Sequence, residues 1–373
     1  MGSTPRTRSR RRYSPRSLTI LSAALVLALE PCAAQEQDTV TSDFDVFPFV
    51  AYDTNTGFGL GARAFLLGYL GQRESFDLIL FGSTKGERWV RLGFSVPDLE
   101  VRQGAVYPVS VDVVVDYDKY LSYNFFGIGN GSSFDDREIY SREVTEVSLT
   151  VSRGVSETFV AQAIVRYRAI RNFSFAPESV LRSVPPPENA SRADLASLQL
   201  SLRYDTRNSY IRPSHGLVLL GEAEFAPRLE ATTSSGARYA IWVHHYLETG
   251  FIGSVLALRG GMQVVDAAEL PVQFHLSLGS SNTLRGYLQD RFLDRVALLV
   301  NGELRFTIVG RLGGIAGVDA GKVWSRPGEI DLNRWAYNLV AGLRWNMDTF
   351  VVRGDVGWSR ETLGLYLNFG HVF

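Results

Sequence analysis

The amino-acid sequence predicts an all-β protein, a transmembrane antiparallel β-barrel of about 16 strands. Segments of roughly ten residues alternate between apolar and polar side chains, and many carry aromatic residues near their ends. Long connections between these segments alternate with short ones. Strands of soluble β-sandwiches also alternate, but they usually run for about five or six residues. Longer strands with aromatic ends are typical of barrels that meet lipid outside and enclose a polar interior.

Residues 1–34 have the layout of a secretory signal peptide. The basic stretch RTRSRRRYSPR is followed by the apolar SLTILSAALVLALE and by the small residues CAA. The apolar run is too short for a membrane span, and no stop-transfer segment follows it. We therefore expect export through the inner membrane, a short N-terminal segment at residues 35–43 and a barrel over residues 44–373.

The composition argues against several classes of protein. The 373 residues include 38 Lys or Arg and 39 Asp or Glu, a balance that does not favour nucleic acid as a partner. The single cysteine, Cys32, precedes the predicted cleavage point, so disulfides and cysteine-ligated zinc are not expected in the exported chain. Five scattered histidines lack the spacing of metal ligands, so we predict no metal and no cofactor.

The alternation is clear in the segment SLQLSLRYDTR. Leu198, Leu200, Leu202 and Tyr204 alternate there with polar residues, which separates an apolar face from a polar one. No window offers the roughly 18 consecutive apolar residues of a transmembrane helix after the signal peptide. Strands are predicted at 44–53, 57–68, 75–83, 87–96, 106–118, 140–153, 157–172, 193–206, 215–226, 237–250, 253–266, 294–309, 312–323, 335–346, 348–359 and 363–373.

The lengths of the connections predict how the barrel is oriented. With the N-terminus in the periplasm, the connections from even to odd strands are periplasmic turns, and most are short: GVSE, TGFI, GRLG and NMDT. The connections from odd to even strands are then extracellular and include the long ones, as in outer-membrane barrels. The sixth of these loops contains GSSNTLRGYLQDRF (Gly279–Phe292).

The sequence ends on an alternating segment, LYLNFGHVF. Leu365, Leu367, Phe369 and Phe373 are predicted to lie on one face, which His371 interrupts. An aromatic residue at the end of such a strand is a general signal for insertion by the barrel-assembly machinery. An ordinary last strand of any β-protein is the alternative.

Three segments resemble motifs of a known family. LRGY (Leu284–Tyr287) resembles a V/L-R-G-F/Y signature, YDTRNSYIRPSHG (Tyr204–Gly216) a D-x-R…P-x-x-G segment, and GVDAGKVW (Gly317–Trp324) a D-x-G-x-V-W segment. Together with the last strand, they make the chain similar to the Omp85 superfamily, also called the bacterial surface antigen D15 family. This family includes the BamA and TamA assembly proteins and the two-partner secretion transporters.

The resemblance implies a role for the sixth extracellular loop. In this family the loop folds back into the barrel, and its arginine binds acidic groups on the inner wall. Arg285 would then bind Glu303 and Asp319, with Gly286 permitting a tight bend and Tyr287 completing the motif. The alternative is that both carboxylates are solvated charges of a wide lumen.

The segment from Asp205 to Gly216 is predicted to be a structural turn. Pro213 fixes φ and Gly216 relieves a strained conformation, while the resemblance assigns Asp205 and Arg207 to the same turn motif.

The resemblance also implies a function in the bacterial outer membrane. We expect insertion or translocation of protein, or of lipid, through a seam between the first and last strands, and no enzymatic activity. Glycines in GFGLGAR (Gly57–Arg63), with Gly364 and Gly370, are expected to weaken packing at that seam. No periplasmic POTRA domain fits before the first strand, so the chain resembles a barrel-only branch and could require a periplasmic accessory protein.

Two other functions fit the same sequence. One is a passive or structural pore that its own loop plugs. The other is an outer-membrane hydrolase, suggested by the neighbours Ser214 and His215 and by the pair His244 and His245. The hydrolase is disfavoured, because the sequence has no G-x-S-x-G motif and we expect no carboxylate placed to orient a histidine.

Overall fold

The computed structural model describes residues 42–251 and 253–373, and within them sixteen strands close into one antiparallel barrel. The predicted all-β fold and strand number are thus confirmed. The predicted signal peptide and residues 35–41 lie outside the described residues. The barrel strands are β1 (Asp43–Asp53), β2 (Gly57–Leu67), β3 (Ser75–Ser83), β4 (Arg88–Val96), β5 (Tyr107–Phe125), β6 (Glu138–Gly154), β7 (Phe159–Phe173), β8 (Arg192–Asp205), β9 (Gly216–Ala226), β10 (Gly236–Glu248), β11 (Val255–Asp266), β14 (Val296–Val309), β15 (Leu312–Trp324), β16 (Ala336–Asn346), β17 (Val351–Trp358) and β18 (Leu363–Phe369).

Short elements lie in the connections. The loop from β11 to β14 contains a small hairpin of β12 (Leu276–Leu278) and β13 (Phe292–Asp294). One helical turn, α1 (Leu99–Arg102), precedes β5, and 3-10 helices occupy Val180–Ser183, Pro187–Asn189, Val272–Phe274 and Pro327–Glu329. In the described part of the chain, no helix has the length and apolar character needed to cross a membrane.

The barrel is apolar outside and polar inside. Along β8, Leu198, Leu200 and Leu202 are 44%, 49% and 54% exposed, whereas Gln199 and Ser201 between them are buried. A soluble protein would bury the leucines, so this inversion fits a wall whose outer face meets lipid.

The inner face of strands β14 to β17 positions the candidate site. The register places Asn301 of β14 beside Asp319 of β15, and Asp319 beside Asn338 of β16. Glu303 follows Asn301 on the same face of β14, because successive inward residues are two apart. One polar row therefore crosses three strands.

Two predicted strand ends differ from the structure by four residues or more, and the other boundaries differ by three residues at most. The fifth strand was expected to end at 118, but β5 continues to Phe125, and its extension pairs with β6 through Tyr123 and Tyr140. These rings pack with Leu181 and Leu293 of distant loops. The extension thus depends on contacts that alternation within β5 does not reveal.

The end of the chain also departs from its prediction. β18 stops at Phe369, and Gly370 has a positive φ of 75°. Leu365 and Phe369 are 39% and 42% exposed on the outer face, but Phe373 is only 9% exposed and packs in a cluster with Tyr246. The prediction that Phe373 shares the face of Leu365, Leu367 and Phe369 is therefore wrong, because the chain turns at Gly370.

Candidate functional site

Arg285 of the long loop is fully buried against the inner wall. Its Nε and Nη2 donate to the two carboxylate oxygens of Asp319, at 3.0 and 2.8 Å, and Nη1 donates to Glu303 at 2.5 Å. Arg285, Glu303 and Asp319 all have 0% exposure. The planar guanidinium matches the paired oxygens of Asp319, a geometry that lysine cannot reproduce. The structure thus brings together the three charged residues that the resemblance implied.

Asp319 is the most completely satisfied carboxylate of this group. Besides Arg285, it accepts hydrogen bonds from the amides of Asn301, at 2.6 Å, and Asn338, at 3.0 Å. The main-chain N–H of Arg285 donates to the same carboxylate at 3.1 Å. Asp319 therefore fixes the backbone of the loop as well as its side chain.

A third carboxylate, Asp355 of β17, was not among the predicted residues. It accepts from Arg285 Nη1 at 3.3 Å and from Arg344 Nη1 at 2.5 Å. Burial disfavours the charged form of Arg285, but Asp319, Glu303 and Asp355 outweigh burial and raise its pKa above the ordinary value. Arg285 is therefore held as a buried cation. The alternation of VVRGDVGW could have revealed Asp355, because Val356 and Trp358 point outward.

Glycine at position 286 lets the loop backbone approach the barrel wall closely and is not needed for a bend. Its φ lies outside the left-handed region, but an added Cβ would lie 2.5 Å from Cβ of Asn338 and 2.9 Å from the main-chain nitrogen of Ser359. On the opposite side, a Cβ on Gly357 of β17 would lie 2.7 Å from the nitrogen of Gly286. The bend expected at Gly286 is thus not the reason for glycine there. The loop backbone lies directly on the wall.

Tyr287 anchors the other side of the motif. Its ring is 2% exposed and meets Phe292 edge-on, with 5.2 Å between the ring centroids. Its hydroxyl donates to the carbonyl of Tyr337 at 3.2 Å. Arg291, a few residues on, donates to Glu361 through Nε at 2.6 Å. Polar bonds and apolar packing therefore both attach this loop to the barrel.

The predicted turn motif forms at the opposite end of the barrel. Arg207 Nε and Nη2 donate to the two carboxylate oxygens of Asp205, at 3.0 and 2.7 Å. Gly216 has φ of 116°, and a Cβ there would lie 2.8 Å from the nitrogen of Arg207. Pro213 is buried in the same connection. The contacts are those of a rigid turn between β8 and β9.

The sequence matches the Omp85 superfamily domain over residues 69–373. The chain belongs to the Omp85 superfamily. Among curated proteins, a sequence search found no match.

Solved structures with a similar fold include other Omp85 barrels. BamA from Haemophilus ducreyi lacking POTRA domains 1–3 superposes with a TM-score of 0.65 at 15% identity, covering 89% of this chain and 70% of that one. CdiB from Escherichia coli gives 0.62 at 13% identity, covering 89% and 67%. CdiB from Acinetobacter baumannii gives 0.57 at 11% identity, covering 88% and 65%. At these identities, the similarity shows the barrel fold alone.

One expectation about this Omp85 barrel is wrong: a carboxylate does lie beside Ser214 and His215. Glu248 accepts from the Ser214 hydroxyl at 2.5 Å and lies 3.6 Å from Nδ1 of His215. Nδ1 is also the ring nitrogen nearest the serine, at 3.4 Å. A catalytic triad needs the serine and the carboxylate on different ring nitrogens. This exposed group therefore lacks the geometry of a hydrolase.

The seam between β1 and β18 is the least paired junction of this Omp85 barrel. Only Tyr52 with Leu367 and Asp53 with Tyr366 are in register there. On its other side, β1 pairs with β2 along its whole length, Asp43–Asp53. The edge of β1 from residue 43 to residue 51 thus has no partner strand among the described residues.

Proposed function

We propose that this Omp85 barrel inserts or translocates proteins, or lipid, at the bacterial outer membrane by opening the seam between β1 and β18. The short pairing at this seam is the observation that supports the proposal. Two pairs of residues in register join β1 to β18, with hydrogen bonds between Thr54 and Leu365 just beyond them, whereas an unbroken ladder of eleven pairs joins β1 to β2. Opening the barrel here breaks fewer main-chain hydrogen bonds than opening it at the neighbouring junction.

The free edge of β1 supplies a binding surface for a substrate strand. Unpaired N–H and C=O groups are costly in lipid, because no water is there to satisfy them. An incoming strand that pairs with this edge removes that cost and gains main-chain hydrogen bonds. A client polypeptide able to form β-strands therefore fits the edge better than a small solute does.

Glycine does not account for the weakness of the seam. The predicted glycines of Gly57–Arg63 lie on β2, away from the junction. A Cβ on Gly364 of β18 would meet the carbonyl oxygen of Arg285 in the loop. Gly364 thus makes room for the loop, and the weakness comes from missing strand pairs.

The proposed role of the loop is to close the lumen while β1 separates from β18. The buried bonds of Arg285 hold the loop on β14, β15 and β17, strands away from β1. A fixed loop keeps small solutes from passing and leaves the seam as the part that moves. Lipid of the outer membrane, the barrel-assembly machinery and a periplasmic accessory protein are the partners we propose.

A disulfide across the seam tests this function. In a chain with Cys32 changed to Ser, the pair Tyr52→Cys and Leu367→Cys should lock β1 to β18 under oxidising conditions. The variant replaces the native gene, and the abundance of other outer-membrane proteins and lipids is measured with and without reductant. We expect a loss on oxidation that reductant reverses.

The matched control places the disulfide where no opening is proposed. Val50→Cys with Leu60→Cys joins β1 to β2 through residues that are in register and exposed on the outer face. This pair should leave outer-membrane composition unchanged. If the seam disulfide forms and has no effect either, the insertion function is wrong. A passive pore, in which membrane composition is independent of the seam, then becomes the better account.

A further inference from the structure

The buried charges around Arg285 do not balance. Five arginines and three carboxylates of this group are each less than 9% exposed. An uncompensated buried charge is costly, so the excess of cations calls for further anions. A negative charge on the main chain of Phe373, the last residue of the sequence, would reduce this excess by one without removing it. The group comprises Arg259, Arg285, Arg305, Arg344, Arg353, Glu303, Asp319 and Asp355.

Several donors of this group lack a hydrogen-bond partner among the described residues, including Nε and Nη1 of Arg353. Nη1 of Arg305 and both Nε and Nη2 of Arg344 are buried and have no hydrogen-bond partner among the described residues. Nδ1 of His371 is in the same state. Arg305 is 8% exposed and Arg344 is 2% exposed, so bulk water does not solvate these groups freely.

Arg305, Arg344 and His371 line a cavity of about 250 Å³ at the end of the barrel that carries the turn from β8 to β9, whereas Arg353 does not line it. Arg212 lies at the same cavity, with the polar side chains of Thr307 and Asn346. No acidic side chain lines it among the described residues. The cavity is far larger than the roughly 30 Å³ share of one water molecule.

The electrostatic environment of His371 agrees with this excess of positive charge. Burial, and then the nearby Arg305 and Arg344, hold the pKa of His371 well below its usual range. His371 is therefore neutral, and its ring can donate or accept one hydrogen bond without adding charge.

We propose that this cavity binds a tetrahedral oxyanion, a phosphate group, between Arg305, Arg344 and His371, with Arg212 at its entrance. Arginine is well suited to phosphate, because its fork of N–H groups meets two oxygens at once. One doubly charged phosphate offsets the excess charge and offers acceptors to the unsatisfied donors of Arg305 and Arg344. The phosphate is either free in solution or part of a phospholipid headgroup, and the two sources share this chemistry.

A phosphate titration of the purified barrel in detergent tests the site. A ligand that binds only the folded state raises the unfolding midpoint as its concentration passes Kd. We expect the thermal unfolding midpoint to rise with inorganic phosphate and then saturate. Chloride at matched ionic strength should have no such effect. In Arg344→Gln the apparent Kd should rise at least about tenfold, equivalent to about 1.4 kcal/mol at 25 °C.

Two milder variants guard against misfolding, since Arg344 also binds Asp355. Arg212→Gln and His371→Gln remove groups that line the cavity without touching the bonds of Arg285. Each should weaken phosphate binding and leave the unliganded midpoint nearly unchanged. Arg311→Gln is the matched control, because Arg311 is exposed, pairs with Asp348 and does not line the cavity.

The outcomes separate the explanations. Native mass spectrometry that finds a phospholipid on the wild type but not on Arg344→Gln supports the site with a lipid headgroup as the source. A saturable effect of inorganic phosphate without retained lipid supports free phosphate. If the wild type shows no saturable phosphate effect and retains no phospholipid, water satisfies these donors and the proposal is wrong. An equal loss of binding in Arg311→Gln and Arg212→Gln also overturns it.

Discussion

Replacing Arg285 should expose how strongly its charge holds the loop to the wall. Asp319 takes three hydrogen bonds from this residue and has no other cation within 4.0 Å among the described residues. Its remaining donors are the neutral amides of Asn301 and Asn338. In Arg285→Ala, Asp319 is therefore a buried carboxylate without a counter-charge.

The other two carboxylates lose much less. Glu303 keeps Arg305 at 2.9 Å, and Asp355 keeps Arg344 at 2.5 Å. The free-energy cost of Arg285→Ala should thus fall mainly on Asp319. Removing one partner of a buried ion pair typically costs about 3–5 kcal/mol, and we expect a loss of that size in the free energy of unfolding.

A double-mutant cycle measures this coupling. Urea unfolding in detergent micelles, followed by tryptophan fluorescence, gives the free energy for Arg285→Ala, Asp319→Asn and the double variant. Asp319→Asn removes the carboxylate charge that Arg285→Ala leaves without a counter-charge. The double variant should therefore be at least about 1 kcal/mol more stable than the sum of the single effects predicts.

The same cycle with Asp355→Asn is the control. Because Asp355 has its own arginine, its coupling with Arg285 should be clearly smaller than that of Asp319. Additive effects of Arg285→Ala and Asp319→Asn would refute the reasoning, since they would mean that the two charges do not depend on each other in the folded protein.

Further predictions concern the packing of the loop and the turn. Gly357→Ala places a Cβ against the loop backbone at Gly286, so trypsin should cleave the loop faster. Gly354→Ala on the same strand is the control, because no atom lies within 4 Å of its added Cβ, and it should leave the cleavage rate unchanged. Asp205→Asn breaks the ion pair between Asp205 and Arg207, whose side chains are 4% and 15% exposed. This change should lower the free energy of unfolding by about 1–2 kcal/mol. Asp348→Asn, whose pair with Arg311 is exposed, should cost at most about 0.5 kcal/mol by the same urea unfolding.

Local patterns were enough to predict the barrel, because a wall between lipid and water imposes one simple rule. Each residue of a strand faces either lipid or lumen, so Leu198, Leu200 and Leu202 reveal the outer face without knowledge of any partner strand. The same rule places Glu303 and Asp319 on the inner face. Strand boundaries fail where that rule stops, as in the extension of β5 beyond the predicted end.

The rest of the site depends on contacts between distant segments. Arg344 and Asp355 alternate inward like many lumen residues, and nothing local distinguishes them from solvated charges. Their pairing at 2.5 Å exists because β16 and β17 are neighbours and because the loop excludes water from them. The inward turn at Gly370 depends likewise on a space that other strands create for Phe373.

The loop also contacts both sides of the seam, which links the candidate site to the proposed function. On the side of β18, the hydroxyl of Ser359 donates to the carbonyl of Gly286 at 2.8 Å. On the side of β1, the main-chain N–H of Gln289 donates to the side chain of Asn55 at 2.9 Å. If β1 separates from β18, one of these bonds must break or the loop must move. The loop can therefore hold the seam closed at this end of the barrel, where the two strand pairs between β1 and β18 also lie, and opening the seam requires both those pairs and one of the loop contacts to give way.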